Sequence, residues 1–428
     1  MNVLLIGNGG REHALAWKLA KSPLLGKLFA LPGNPGTAQT AENITNVPVN
    51  DFAKVEKFVR QNDIGLVVIG PEDPLANGMS DFLSAAGIKV FGPSKEASRL
   101  EWDKWFAKEM MRQQAVPTGE ARSFTDADAA AEYINARNVG VVVKASGLAK
   151  GKGVIVCHRP SDALEAIDEI MRKRVHGEAG SRVVIEELLR GPECSVLAFV
   201  DRKSIYIMEP AQDHKAIDDG DTGPMTGGMG AYTPTPVLSS AMMTQVEREI
   251  FIPLLDGLAR EGIEYKGVLY AGLMLTANGP KVLEFNCRFG DPEAQPLLMR
   301  LKSDLLEVLI AVAEGRLDQV ELQWDSRPAL CVVAASAGYP GKYQSGMPIS
   351  GIDNADAMAD VKVFHAGTRA AADGRIVTDG GRVLGVTALG NTISDAQRRA
   401  YEAVKMIDFE GIKYRTDIGA QAIRFHNQ

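Results

Sequence analysis

Over the first hundred residues, short apolar runs alternate with helical patterns, and few architectures satisfy that alternation. Val3–Ile6, Lys27–Leu31, Leu66–Ile69 and Lys89–Phe91 read as strands, and Glu12–Lys21, Phe52–Gln61 and Met79–Ala86 as helices. Apolar strands separated by helices predict a parallel α/β sheet covered on both faces. Ligands of such a sheet sit at the carboxyl ends of its strands. Gly7–Gly10 and Gly70–Asp73 fall at two of those ends.

The chain has 428 residues, more than one ordinary domain holds. Domains are expected at 1–102 and 191–327, with a linker at 103–122, a small subdomain at 123–190 and a C-terminal unit at 328–428. In the small subdomain, Val139–Ala145, Val154–Cys157 and Arg182–Glu187 read as strands around a helix capped at Ser161. Beyond it come strands near 193–200 and 204–208, a long loop (211–235), a helix (239–260), a strand pair (267–276 and 280–286) and a helix from Ser303 to Glu314. The last hundred residues return to short strands, and Ser394 with Gln397 suggests a capping box for a final helix.

A net charge of −7 argues against a nucleic-acid surface. The apolar runs are too short to span a membrane, and Met1–Gly7 reads as a buried strand, not a leader. Four widely spaced cysteines imply reduced thiols and a cytoplasmic setting.

The chemistry concentrates in Lys281–Gln295. On a strand, Glu284 and Asn286 project to one face, and two oxygen donors there suit a hard cation such as Mg²⁺. Arg288, Gly290, Asp291, Pro292 and Glu293 follow directly. The loop Gly7-Asn8-Gly9-Gly10 lacks the third glycine of a dinucleotide fingerprint, with Glu12 in its place, and no acid ends the next strand. A phosphate site at the helix N-terminus remains, or a tight turn that only packs the helix. The loop Lys144–Val154 lies between two strands, so it is not a Walker loop. Its Lys150 and Lys152 read equally as phosphate ligands or solvated charges. A polar, glycine-rich loop as long as 211–235 is usually functional.

Arg288–Gln295 resembles the signature octapeptide of the phosphoribosylamine–glycine ligase family within the ATP-grasp superfamily. Gly7–Ala14, Gly70-Pro71-Glu72, Gln212–Lys215 and Thr226–Tyr232 are similar to further family segments, in the family's order along the chain. The resemblance implies an ATP-grasp fold with an N-terminal parallel α/β domain, a lid subdomain, a mixed-sheet ATP-binding domain and a C-terminal β-rich domain. It implies ATP with Mg²⁺ or Mn²⁺ on Glu284 and Asn286, and ligation of glycine to 5-phosphoribosylamine through glycyl phosphate, the second step of purine synthesis.

By the same resemblance Lys104 and Lys144 reach phosphates, Gly151 and Gly153 belong to the closing loop, and Glu186 accepts from adenine. Backbone at Glu187 and Leu188 completes base recognition, and Glu193 takes the ribose. Gly9, Gly10 and Arg11 face the 5-phosphate of phosphoribosylamine, and Glu72 its hydroxyls. Asp213, Lys215, Gly227 and Gly228 surround the substrates, with Arg288, Gly290, Asp291 and Pro292. A monomer with small-molecule substrates is expected. The chain departs from the family pattern at Trp102, Ser146, Pro192 and Met225. Two other readings stand: an ATP-grasp carboxylase acting on bicarbonate, and a regulator that binds ATP without consuming it.

Overall fold

A computed structural model describes residues 1–147 and 153–426. β1 (Asn2–Gly7), β2 (Leu28–Pro32), β3 (Glu42–Asn43), β4 (Ile64–Ile69) and β5 (Val90–Phe91) form a parallel sheet in the order β3-β2-β1-β4-β5. Its two faces divide the apolar residues by alternation. Val3, Leu5, Leu66 and Val68 pack with Leu15 and Leu19 of the first helix and Leu305 and Leu309 of a later one. Leu4, Ile6, Val67 and Ile69 pack with Val55, Val59 and Leu83. The reversal of connectivity at β1 opens a crevice at the carboxyl ends, where β1 runs into the helix Gly10–Leu19.

β6 (Ala121–Phe124), β7 (Val141–Ala145), β8 (Val154–Cys157) and β9 (Val183–Glu187) make a small antiparallel sheet with its own core, in the order β6-β9-β7-β8. The expected cap at Ser161 is corrected. The helix is Pro160–Ile167, Arg159 is its N-cap, and Asp162 accepts from the Arg159 amide at 3.2 Å. Proline at the first helical position fixes the cap two residues earlier.

β10 (Glu193–Asp201) and β11 (Ser204–Ile207) precede the long loop. That loop is not irregular, because it carries β12 (Gln212–Asp213), β13 (Ala216–Asp218), β14 (Thr222–Met225) and β15 (Gly230–Thr233). The helical stretch expected over 239–260 passes through a π turn at Glu247–Phe251. β16 (Lys266–Thr276) and β17 (Gly279–Asn286) complete an antiparallel sheet ordered β11-β10-β16-β17. A parallel bridge between Thr118 and Val282, at the β17 edge, supplies the mixed character expected of this domain.

β18 (Ala329–Ala335), β19 (Val361–His365), the hairpin of β20 (Thr368–Ala370) with β21 (Ile376–Thr378), and β22 (Arg382–Leu389) form the C-terminal part. The order β12-β15-β18-β22-β19 shows that two strands of the long loop join this sheet. The loop therefore ties the central and C-terminal units together. The last expected capping box is also corrected, since Thr392 rather than Ser394 caps Ile393–Val404.

The N-terminal and C-terminal units meet at His365. Its amide donates to His13 Nδ1 at 2.8 Å, and Asn34 Nδ2 donates to its carbonyl at 2.9 Å. Burial pushes the His365 imidazole down to about 4, and Lys362 adds to the effect. The folded state keeps this ring neutral, whereas the unfolded chain binds a proton below about 6.5. Stability is complete above that pH and declines as pH falls from about 6.5 to about 4, by up to about 3 kcal/mol. His365→Gln is expected to make this acid limb shallower in thermal melts recorded across that range, the remainder coming from the buried His13 and His214. A limb as steep as the parent's would exclude His365 as its source.

Candidate active site

The half of the site expected to take the nucleotide is a chain of lysines and glutamates drawn from the helix Lys104–Gln113, from β7, β9, β10 and β17, and from the loop at Lys215. Lys104 opens the helix Lys104–Gln113 and reaches Glu284 Oε2 at 3.2 Å. Lys215 lies 3.6 Å from Glu284 Oε1 and 3.4 Å from Glu193. Lys144 donates to the Leu283 carbonyl at 2.9 Å and pairs with Glu186 Oε2 at 3.0 Å. The carbonyl is available because the β16–β17 register slips between Gly272 and Leu273, leaving Leu283 unpaired on a bulge. Glu284 would be raised by burial, but Lys104, Lys215 and Lys144 outweigh that and hold it well below the usual carboxylate range.

Glu186 is buried and its Oε2 is shared between Lys144 and Lys108, the latter at 2.9 Å. Its Oε1 is buried with no hydrogen-bond partner among the described residues. Such an atom is costly unless a ligand donates to it. Lys108 also donates to Thr118 Oγ1, which in turn donates to the Val282 carbonyl. Burial lowers the Lys108 ammonium to about 8. Glu187 ends β9 beside Lys281, 3.6 Å away, and Leu188 follows it. Gly153 lies just before β8, while Gly151, Lys150 and Lys152 lie outside the described residues.

The second half sits where β1 meets the octapeptide. The Gly9 amide donates to Glu12 Oε2 at 2.6 Å, capping the first helix from within. Gly70 must be glycine here, since a Cβ would lie 2.2 Å from Glu12 Oε1. Gly10 sits against Gln295, and the Arg11 amide points at Asp291 Oδ2 over 3.4 Å. The Arg11 guanidinium is buried and engaged within the protein, with Glu12 at 2.6 Å and the Phe289 carbonyl at 3.0 Å. Its charge therefore joins the N-terminal unit to the octapeptide.

Arg288 pairs with Glu101 at 2.9 Å and Glu72 at 3.4 Å, and donates to Asn286 Oδ1 at 3.2 Å. Gly290 leaves room for Glu293, whose Oε1 accepts from Ser195 at 3.1 Å. Asp291 accepts from Gln295 at 2.9 Å, and Arg382 Nη2 lies 3.7 Å away. Burial would raise Asp291, but Arg382 and Arg11 reverse the shift and keep it low. Asp213 behaves oppositely. Burial and then Glu293 push it well above the usual value, against Lys215 and Arg382, and its Oδ1 has no hydrogen-bond partner among the described residues. Gly228, at φ +114°, brings the loop so close that a Cβ would meet Pro292 Cδ at 2.4 Å and Asp213 Oδ1 at 2.6 Å. His214 is buried, with burial and Arg415 lowering its ring to about 4.

Lys104, Lys144, Lys215, Glu193, Glu186, Glu284 and Asn286 thus converge, as do Arg288, Asp291, Asp213, Gly227, Gly228 and Pro292. Sequence reasoning missed Lys108, Glu101 and Arg382. Lys108 lies one helical turn beyond Lys104, a spacing that puts both on one face. Arg382 has no comparable local signal.

The chain matches the phosphoribosylglycinamide synthetase family in three blocks: the N domain over residues 1–101, the ATP-grasp (A) domain over 102–294 and the C domain over 329–421. It is 53% identical to a phosphoribosylamine–glycine ligase of Rhodopirellula baltica, over 99% of this chain and 98% of that protein. It is 50% identical to a trifunctional purine biosynthetic protein of Gallus gallus, over 100% of this chain and 43% of that one. A solved phosphoribosylamine–glycine ligase of Thermotoga maritima superposes with a TM-score of 0.83 at 30% identity, covering 98% of this chain and all of that one. A biotin carboxylase domain of Hydrogenobacter thermophilus shares the fold, with a TM-score of 0.72 at 15% identity.

Proposed function

The chain belongs to the phosphoribosylglycinamide synthetase family, and from that premise we propose how its residues carry out the reaction. The protein is an ATP-grasp ligase of de novo purine biosynthesis, joining glycine to 5-phosphoribosylamine to give glycinamide ribonucleotide. The observation that carries the residue assignment is one continuous run. β17 delivers Glu284 into a cluster of three lysines, and the octapeptide that follows delivers Arg288 and Asp291 beside Asp213, whose Oδ1 has no hydrogen-bond partner among the described residues.

Lys104, Lys144 and Lys215 bind the triphosphate, exchanging carboxylate partners for phosphate oxygens. Glu186 Oε1 accepts from the exocyclic amine of adenine, Glu187 and Leu188 offer backbone to the base, and Glu193 holds the ribose. The carboxylate of glycine attacks the γ-phosphorus, giving glycyl phosphate and ADP. Arg288 lies where charge develops on the transferring group. The amine of phosphoribosylamine then attacks the glycyl carbonyl carbon. The C–O bond to phosphate breaks, the proton lost by the amine leaves with inorganic phosphate as hydrogen phosphate, and Asp213 accepts hydrogen bonds from the amine. The Gly9–Gly10 amides and Glu72 hold the phosphoribosyl group. The β6–β9 subdomain, closing over ATP, shields the acyl phosphate from water.

The donor set fits Mg²⁺ or Mn²⁺. Glu284 is held ionised and Asn286 presents a carboxamide oxygen, the hard oxygens such ions prefer. Among the described residues no cluster of three or more acidic, histidine or cysteine ligands forms, so phosphate oxygens and water must complete the shell. A metal there would offset phosphate charge.

ADP release by the purified protein, with ATP and Mg²⁺, tests the reading. Release that requires glycine and phosphoribosylamine together supports it. Release driven by bicarbonate instead would replace the substrates with those of a carboxylase, and ATP binding without release would point to a regulator. Asp213→Asn is expected to lower kcat/KM for glycine or phosphoribosylamine about 100-fold while leaving the KM for ATP near its parent value. Parent-like values for both substrates would remove Asp213 from the amine pocket. We further take the protein to act as a cytoplasmic monomer. Its four cysteines are buried free thiols, and no helix among the described residues is long and apolar enough to cross a membrane. Light scattering at working concentration checks the monomer.

A further inference from the structure

Arg382, the first residue of β22, belongs to the C-terminal sheet, yet its guanidinium ends in the substrate half of the site. Nη1 donates to the Gly227 carbonyl at 2.6 Å, to the Asp291 carbonyl at 2.6 Å and more weakly to the Gly228 carbonyl at 3.4 Å. Nη2 lies 3.7 Å from Asp291 Oδ2. One planar cation therefore links three segments: the C-terminal strand, the loop carrying Gly227 and Gly228, and the octapeptide. Gly227 fits this arrangement closely, because a Cβ there would meet the guanidinium carbon at 3.1 Å.

The contacts matter for what lies between them. Gly228 is pressed between Pro292 and Asp213, so the position of the loop determines the space around the unpartnered Asp213 Oδ1. Three carboxylates, Asp213, Asp291 and Glu293, crowd this volume. Arg382 is a cation common to all three. Without it, loop and octapeptide would be joined by fewer contacts, and three acids would face one another with less compensation.

Resting on the proposed function, we propose that Arg382 is a positioning residue that clamps the Gly227–Gly228 loop onto the octapeptide and thereby shapes the amine pocket. The C-terminal domain is then part of the active site, and the clamp acts on glycine and phosphoribosylamine rather than on ATP. Lysine cannot replace it fully. One nitrogen, Nη1, reaches both carbonyls, so an ammonium can keep part of the clamp, but it lacks the second amino group, Nη2, that lies 3.7 Å from Asp291 Oδ2.

The experiment is steady-state kinetics of the full chain and its Arg382→Met, Arg382→Lys and Gly227→Ala variants, each substrate varied in turn. ATP affinity is read separately by calorimetry and folding by thermal melts. Arg382→Met should raise the KM for glycine or phosphoribosylamine at least about tenfold, with ATP affinity within about twofold of the parent. Arg382→Lys should fall between the two. Gly227→Ala, which displaces the guanidinium without removing it, should raise the same KM. It keeps the question answerable if Arg382→Met does not fold. Unchanged KM values for both substrates in Arg382→Lys and Gly227→Ala would overturn the clamp, as would equal losses toward ATP and the amines. If the parent chain releases ADP without needing glycine and phosphoribosylamine, the functional reading fails first and the clamp falls with it. If the parent needs both and the variants behave like it, only the clamp fails.

Discussion

Glu284→Ala is expected to abolish turnover while leaving the fold intact. The carboxylate lies 3.2 Å from Lys104 and 3.6 Å from Lys215, and is held ionised by these lysines and Lys144. Its removal leaves three converging ammonium groups with no central anion. The phosphates of ATP would then settle among the lysines without the oxygen that fixes their register. Positioning contributes much of the rate in phosphoryl transfer, and losing one such electrostatic anchor costs about a thousandfold or more in kcat. The oxygen donor paired with Asn286 is lost at the same time. The fold should survive because Glu284 makes no side-chain hydrogen bond to the main chain among the described residues, and β17 is held by its backbone ladder to β16. ADP release at millimolar Mg²⁺, with circular dichroism and a thermal melt on the same sample, checks both halves. Turnover near the parent's in a folded protein would refute the role.

The N-terminal sheet was legible because its strands are buried on both faces. Continuous apolar runs such as Val3–Ile6 and Leu66–Ile69 admit few other readings. The short strands of the 211–235 loop were not. Two- to four-residue strands carry no periodicity, and Thr222–Met225 is exposed along its whole length. What makes them strands is pairing, and β15 pairs with β18 across most of a hundred residues. The helix caps failed for a local reason. Ser161 and Ser394 are good capping residues, but Pro160 and Thr392 reach the helix start before them.

The site divides in the same way. Glu284, Asn286, Arg288 and Asp291 lie within eight consecutive positions, so the strand and turn that carry them could be read directly. The spacing of Lys104 and Lys108 put both on one helical face, but that Lys108 shares Glu186 with Lys144 depends on β7 and β9 and had no local signal. Arg382 donates to the Asp291 carbonyl from 91 residues away, a contact made only by the sheet that brings β22 beside β18. Arg11 has contacts that the sequence did not announce. Its place in a glycine loop suggested phosphate, whereas folding buries it against Glu12 and the Phe289 carbonyl.

Arg288→Lys is expected to lower kcat at least about a hundredfold while the protein still folds and binds ATP. The part-buried guanidinium sits among Glu101, Glu72 and Asn286 and also donates to the Phe289 carbonyl at 3.2 Å. Together these contacts hold the planar group in one orientation between the Glu284–Asn286 strand end and the substrate half. Burial opposes its charge, but Glu101 and Glu72 reverse that and keep it firmly protonated. Lysine preserves the charge that buried Glu101 needs, so the destabilisation of about 3–5 kcal/mol from breaking a buried pair is avoided. It cannot contact Glu101, Glu72 and Asn286 together, so the charge is no longer fixed where the proposed mechanism puts the transferring phosphoryl group and the tetrahedral intermediate. Arg288→Met should lose activity and stability together, which is why lysine is the informative replacement. The KM for ATP should stay near the parent's, since the phosphate lysines approach from other segments. A kcat within a few-fold of the parent in Arg288→Lys would assign the guanidinium to holding Glu101 in place, and the transferring charge would need another partner.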